Sequence, residues 1–451
     1  MSSAVLRERP QPGTPRTWTF PEVRRTSLRN GMAALLCDLP TRPVVAVHLV
    51  LDIPRSLEPE GLDGVAAIVA QALREGTMTR DAEAFSDALE SRGATLGAHA
   101  GDAAMRLMLG VPVSRLEPAL ELLTEALREP AFPQREVERL VRQRLDAIPV
   151  ERSDPSWRCG EIMMATLFDP SERLSRPGEG TTETVERIDR EAVAHFWAAR
   201  GRASTATAIV AGDFDAMDVD ALLERTLGSW GTPPATQSAR GAVREAPAGQ
   251  AVIVHRPGSV QTELRLARIG PNRHTPTWPY TQLAAYTLGG TMTSRLMQKL
   301  REEKGYTYGV HASASSLAQT GVLSISAAVE TAVTAPAVAD ALGEVRRLVD
   351  GGVTDEERRF ATEAITSAPR RLESAHQLAG ALAGVVEERL PDDFIPRNLE
   401  RLEAATTDQV TAQGAQDWRP DGISLIAVGD ADLVAAPLRE VGFEMLRIET
   451  D

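Results

Sequence analysis

An α+β fold built from two homologous α/β-layered domains in tandem is what this 451-residue sequence predicts. Three observations predict it. One stretch occurs twice: residues 75–100, EGTMTRDAEAFSDALESRGATLGAHA, share GTMT and then G-x-T-x-G-x-H-A with residues 289–312, at an offset of 214 at Gly76/Gly290 and 212 at Gly93/Gly305. A second echo pairs IVAGDFDAMDVDALL (209–223) with IAVGDADLVAAPL (426–438). The order of strand-like and helix-like segments also repeats, with strands followed by clustered helices, as in α+β layers. Self-similarity at this separation means a duplicated domain, since solenoid repeats recur every ~20 to 50 residues.

Composition fits two such domains. Apolar residues make up 43% of the chain, ample for two cores, and aromatic residues only 4%, so those cores rest on Ala, Leu and Val. A net charge of −14 disfavours phosphate contacts, and basic residues do not cluster with aromatics, so no nucleic-acid partner is expected. Cys37 and Cys159 are too few for a disulfide framework and read as buried or incidental thiols. The N-terminus has no signal-type apolar segment and no stretch reaches the ~18 apolar residues of a membrane span, which leads to the expectation of a soluble, cytoplasmic protein.

Taken in order, a proline-broken tail over residues 1–22 precedes a first domain at 23–230. RRTSLRNGMAALLCDL (24–39) is a strand pair turning at Asn30-Gly31, and VVAVHLVLDI (44–53) is an apolar strand. GLDGVAAIVAQALREGT (61–77), apolar nearly all round, predicts a buried helix. A helix at 79–93, a strand over 94–112, a helix at 113–130 and a charged surface helix at 134–146 follow. A further helix from 157, a Gly/Thr loop at 176–184, the helix ETVERIDREAVAHFWAAR and the strand TATAIVAGDF complete this half. Residues 231–250, rich in Pro, Gly, Ser and Ala, read as a linker. The second domain, 251–451, restarts with AVIVHRPG and TELRLARIG. It continues through the helix TPTWPYTQLAAYTLGG, the strand GVLSISAAVE, helices at 334–350 and from Thr354 to about Arg389, and a final strand at Ile423–Gly429.

Between those segments lies the informative stretch, 286–313, YTLGGTMTSRLMQKLREEKGYTYGVHAS. Gly289 and Gly290 make a turn, Thr291 or Thr293 can cap a short helix with Leu296, Met297 and Leu300 on one face, and Gly305 sits where a left-handed C-terminal residue belongs. A strand follows, with Tyr306, Tyr308, Val310 and Ala312 on one face and Thr307, Gly309, His311 and Ser313 on the other. Arg301 and Tyr308 can then converge beside the turn. Subtracting 212 puts Leu89 and Leu96 at the same two positions of the first copy, so the shared fold does not demand Arg and Tyr there. The bland alternative pairs Arg301 with Glu302 or Glu303 and packs Tyr308 half-buried on the sheet.

SRLMQKLREEKGYTYGV (294–310) is similar to the second-domain signature of the pitrilysin/insulinase-type zinc peptidases, and the chain after about residue 22 resembles their processing-peptidase subfamily. The resemblance implies a mitochondrial-processing-peptidase type of fold, half of a clamshell closed by a partner chain around an extended peptide. It also implies that Arg301 and Tyr308 hold the peptide main chain and help stabilise the developing oxyanion, chemistry that suits a planar cation and a directed phenol donor. Gly289 and Gly290 stand where a longer glycine-rich, peptide-contacting loop occurs in non-catalytic subunits; a plain turn is the alternative.

The zinc helix departs from the family's pattern. Where catalytic members carry HxxEH, this sequence has Ala67, Ala70 and Gln71, and the third ligand position falls on Ala147, with Asp146 or Glu151 as the alternatives in another register. The seven histidines include no pair at helical spacing, and His99 and His311 occupy equivalent repeat positions. The resemblance therefore implies a non-catalytic subunit with no metal of its own, whose heterodimer partner brings the HxxEH helix and zinc. A non-hydrolytic peptide-binding or structural scaffold with the same fold, as in respiratory-complex core subunits, is the alternative.

Overall fold

A computed structural model of the chain describes residues 19–214, 217–367, 372, 374–443 and 446–450, so most of the expected tail lies outside the described residues. In the first half β1 (Arg24–Ser27), β2 (Ala33–Asp38) and β3 (Val44–Leu51) lead to α1 (Val65–Ala72), α2 (Ala82–Glu90), β4 (Thr95–Ala100) and β5 (Met105–Pro112). Next come α3 (Leu116–Arg128), α4 (Gln134–Ser153), α5 (Pro155–Leu167), α6 (Thr182–Val185), α7 (Arg190–Arg200), β6 (Ala206–Gly212) and α8 (Val219–Arg225). The second half runs β7 (Ala251–His255), β8 (Gln261–Gly270), α9 (Trp278–Gly289), a π-helical turn (Met297–Glu303), β9 (Val310–Leu317) and β10 (Thr320–Glu330). It closes with α10 (Thr334–Gly351), α11 (Asp355–Ser367), α12 (Ala375–Glu387), α13 (Phe394–Ala404), α14 (Thr407–Asp417), β11 (Ser424–Gly429), α15 (Ala431–Glu440) and β12 (Leu446–Thr450).

Three segments expected to be continuous are broken, each by a local hydrogen bond. The strand over 94–112 is the β4–β5 hairpin, turned where the Gly101 N–H donates to Ala104 O at 2.8 Å. The helix from Thr354 to Arg389 is two helices, and α12 starts at a capping box in which Ser374 and Gln377 each bond the other's backbone N–H. The helix over 183–200 divides where Asp189 caps α7 by accepting the Ala192 N–H at 2.8 Å. Helices α13 to α15 and β12 add to the expected end of the chain.

Among the described residues the strands form two sheets, ordered β1-β2-β6-β3-β5-β4 and β12-β7-β11-β8-β10-β9. Five strands correspond one to one, including the parallel pairs β2/β6 and β7/β11. The sixth comes from opposite chain ends: β1 lies antiparallel on β2, whereas β12 lies parallel on β7. β4 and β9, the outer strands on the other side, follow the two copies of the repeated motif.

One face of each sheet packs on helices of its own half, giving cores around Leu49, Leu107 and Leu123 and around Leu266, Leu323 and Leu348. The opposite face is covered by one helix borrowed from the other half. α12 lays Ala375, Leu378, Ala379 and Leu382 on Leu35, Ala46 and Ile209 of the first sheet. α5 lays Cys159 and Ile162 on Val252, Val254 and Ile426 of the second. Central strands β6 and β11 are therefore buried at every residue, which is why both read as continuous apolar runs rather than alternating ones. Cys159 lies sealed beneath α5 beside Ile426 O, and burial pushes its thiol up to about 12.

The polar linker is pinned rather than loose. Ser238 Oγ donates to Asp52 at 2.9 Å, Arg389 of the second half meets the same carboxylate at 2.9 Å, and Arg240 donates to Glu387 O at 2.6 Å. Among the described residues no helix is long and apolar enough to cross a membrane.

Candidate functional site

The repeated motif builds the site at the C-terminal end of α9. Gly289 ends that helix against β9 so closely that a Cβ would lie 2.3 Å from Ala312 N, and a Cβ on Gly290 would meet the Tyr286 ring at 2.5 Å. The turn then runs through Thr291, Met292 and Thr293 into a helix whose last part widens to π geometry, with Lys304 N–H donating to Lys299 O at 3.2 Å. Leu296, Met297 and Leu300 point into the core as their spacing predicts. Gly305 ends the turn in the left-handed conformation, with φ +67°.

Tyr308 departs from expectation. The sequence alternation puts it on a strand, yet β9 begins only at Val310, and Tyr308 is 92% exposed. The cause is Thr307. Its hydroxyl sits 2.8 Å from Gly309 O and 2.7 Å from Ala328 O, either of which it can donate to, and it accepts the Gly309 N–H at 3.1 Å. A side chain thus takes up the β10 carbonyl where the ladder would have continued, and the chain at 307–309 peels away from the sheet. The half-buried alternative for Tyr308 is excluded.

Tyr308, Gly289, Gly290 and Met292 rim an open cleft of about 560 Å³, with Glu263, Arg265 and His311 on its floor. Arg301 reaches this rim through Met292, whose Sδ lies 3.1 Å from the guanidinium Nη1. Its nearest carboxylate is the half-exposed Glu302, 3.6 Å from Nε. Tyr308 thus lines the cleft, whereas Arg301 touches its rim through Met292 and keeps the Glu302 pairing of the bland alternative at 3.6 Å. Met292 and the Glu263–Arg265 pair escaped the sequence reading. The exposed Met common to both GTMT turns and the charges on one face of TELRLARIG are the signals that point to them.

The residues expected at the degenerate zinc position offer no site for zinc. Ala67, Ala70 and Gln71 lie on α1, which packs against α4 carrying Ala147. Only Gln71 has polar atoms, and both are engaged: its amide donates to Ala98 O of β4 at 2.9 Å and its oxygen accepts from Arg74 at 3.1 Å. Of the two alternative carboxylates, Glu151 is held by both terminal nitrogens of Arg144 at 2.6 and 2.7 Å, and Asp146 faces solvent. Among the described residues one group of three potential ligands comes together elsewhere, His255, Asp430 and Asp432 at the start of α15. There Asp430 caps the helix by accepting the Asp432 and Gly258 N–H groups, and His255 Nδ1 accepts the Ala431 N–H, so these atoms close a turn.

His48 is the other polar feature of note. It sits on β3 under α12, 3% exposed, with neither ring nitrogen hydrogen-bonded and its ring edge-on to His376 at 5.4 Å between centroids. Burial, then the nearby Arg106, His376 and His99, hold its pKa down to about 4.

Comparison with known proteins bears on the fold and the family. Residues 34–169 match the insulinase (peptidase family M16) model and residues 187–364 the peptidase M16 inactive domain model. An uncharacterized zinc protease of Mycobacterium leprae is 27% identical over 347 residues, spanning 75% of this chain and 76% of the relative. A Helicobacter pylori protein described as a non-peptidase homolog is 23% identical over 270 residues, covering 60% of this chain and 62% of its own. The crystal structure of a peptidase M16 inactive domain from Pseudomonas fluorescens superposes with a TM-score of 0.83 at 22% identity, over 91% of this chain and 98% of that one. A protease structure from Helicobacter pylori gives the same TM-score at 15% identity, over 91% and 100%. The chain belongs to the insulinase (peptidase M16) family, as an inactive-type member.

Proposed function

We propose that this chain is the non-catalytic subunit of a heterodimeric zinc peptidase of the processing-peptidase kind. It would close the chamber on an extended peptide and present Arg301 and Tyr308 in trans to a partner that carries HxxEH and the zinc. The observation that carries this reading is the contrast inside the chain: the fold fills these two positions with buried leucines in one copy and, in the other, with an exposed phenol on the cleft and a partly exposed cation held beside its rim by Met292. Arg301 can donate to main-chain carbonyls and remains charged throughout, while Tyr308 offers one directed hydrogen bond. β9 pairs only with β10 among the described strands, so its outer edge can add the peptide as a further strand. Both side chains are wet in the isolated chain. Closure by a partner would exclude that water and strengthen their bonds to a developing oxyanion.

The test is peptide hydrolysis and zinc content for this chain alone, for an HxxEH-bearing chain from its genomic neighbourhood, and for the mixture. Turnover confined to the mixture, with zinc following the partner, is the expected result. Turnover and bound zinc in this chain alone would overturn it. The relative described as a non-peptidase homolog favours a second reading, a scaffold with the same fold; a stable pair that binds peptide and cleaves nothing would establish that one.

A further inference from the structure

Arg301 has one neighbour that its proposed role does not account for. The guanidinium Nη1 points at the thioether of Met292 at 3.1 Å, and Met292 is 53% exposed on the rim of the cleft. The sulfur is not there by accident of a loose loop. Gln298 Nε2 donates to Met292 O at 3.0 Å, Thr293 N–H to Thr291 Oγ1 at 3.1 Å, and Ser294 Oγ to Thr291 O at 2.6 Å, so the turn holding Met292 is tied to the helix that carries Arg301. In the first copy the matching Met78 is exposed as well, at 72%, but the residue opposite is the buried Leu89, and no such pair exists.

We propose that Met292 is the positioning residue for Arg301 and the site at which oxidation disables it, an inference that rests on the peptide-binding role of Arg301 proposed above. A thioether is a weak acceptor. It holds the guanidinium beside the cleft rim yet gives it up readily when a peptide carbonyl arrives. Hydrogen peroxide changes that balance. The sulfur lone pair attacks one peroxide oxygen, an S–O bond forms as the O–O bond breaks, the sulfur is oxidised by two electrons, and the departing hydroxide takes the remaining proton to leave as water. The product sulfoxide presents a strongly polar oxygen within reach of the same guanidinium. That oxygen competes with the substrate carbonyl for the donors of Arg301.

Two readouts test this, one needing no activity. In the full chain labelled with 15N-arginine, the Arg301 Nε–H signal is identified by its loss in Arg301→Lys. Peroxide should shift this signal and slow its motion in the wild type, with mass spectrometry verifying oxygen on Met292, and should leave it unchanged in Met292→Leu, where Met78 and the other methionines still oxidise. In the active pair, peroxide should lower kcat/KM about tenfold, the scale of one charge-assisted hydrogen bond. Methionine sulfoxide reductase should restore it, and Met292→Leu should resist peroxide while assembling normally. An Arg301 signal indifferent to an oxidised Met292 overturns the proposal, as does full turnover after Met292 is oxidised. If the pair cleaves nothing at all, the peptidase reading falls instead, and the arginine signal still decides whether Met292 governs Arg301.

Discussion

Leu96 and Tyr308 stand at the same position of one repeated motif, yet Leu96 is 7% exposed and Tyr308 is 92% exposed. Leu89, 8% exposed, likewise corresponds to Arg301, whose side chain is 36% exposed. In the first copy a regular α2 ends at Glu90, a turn runs through Gly93, and β4 starts two residues after that glycine, pairing Leu96 with Leu109. In the second a π-helical turn ends near Gly305, Thr307 breaks the ladder, and β9 starts five residues later. The first copy is the fold's own solution, sealed and apolar; in the second, strand pairing is given up, Tyr308 stands exposed on the cleft, and Arg301 contacts the rim through Met292. The two copies thus separate what the shared fold requires from what it leaves free.

The sharpest way to break this comparison is to exchange the solutions. Arg301→Leu with Tyr308→Leu makes the second copy resemble the first: turnover of the active pair should fall by about a hundredfold or more, while stability stays within about 0.5 kcal/mol because neither side chain is buried. Leu89→Ala or Leu96→Ala should do the reverse and cost about 2–4 kcal/mol each in denaturant melts. Wild-type turnover in the double leucine variant would dismiss the rim as a site.

A second contrast lies beneath the borrowed helices. At the offset of 217 that relates Gly212 to Gly429, His48 corresponds to Arg265. Arg265 is satisfied, by Glu263 and by Ser156 Oγ at 2.7 Å near the start of α5, whereas His48 meets His376 near the start of α12 with both nitrogens bare. Arg106, itself held by Glu387 of α12 at 2.6 Å, and His99 are the other titratable neighbours. Because the folded pKa, about 4, lies below the ordinary 6.5, the native state favours the neutral ring. Its contribution is complete above pH 6.5 and is lost as pH falls from 6.5 to 4, on the order of 3 kcal/mol in all. Thermal melts across that window should lose stability less steeply in His48→Leu; parallel slopes would remove His48 from the account.

The smallest effect separates the two GTMT turns. Thr77, Thr79 and Arg80 all donate to Glu125 in the first copy, while in the second the Thr291 and Thr293 hydroxyls bond each other at 3.0 Å and Thr291 Oγ1 accepts the Thr293 N–H at 3.1 Å. Glu125→Ala should cost about 1–2 kcal/mol by leaving those donors unmatched. Thr291→Ala should cost under about 0.5 kcal/mol. Equal losses would mean that the second turn is as firmly held as the first.

The two-layer, two-copy architecture was legible because periodicity and repetition are local properties of the chain. The breaks were harder. The capping box at Ser374 and the Asp189 cap are written in the sequence, but apolar spacing runs across both and masks them. That Ala67, Ala70 and Gln71 offer no zinc-binding side chain, and that Arg301 and Tyr308 stand where the first copy has leucines, could be read from residue identity alone. The exposure of Tyr308 could not, since it depends on one threonine hydroxyl displacing a ladder bond from a strand distant in sequence. Met292 needed the fold as well, for nothing in the spacing of Met292 and Arg301 brings sulfur to guanidinium.

The exchange of α5 and α12 has a consequence for how such a chain could arise. A solitary half would leave one apolar face of its sheet bare to water, because the helix that covers it belongs to the other copy. A one-domain ancestor would thus have needed a twin, each lending a helix to its neighbour across a twofold axis. A fusion joining such a pair would carry both borrowed helices in one polypeptide, and one copy could then keep the leucines that hold the shape while the other was free to replace them.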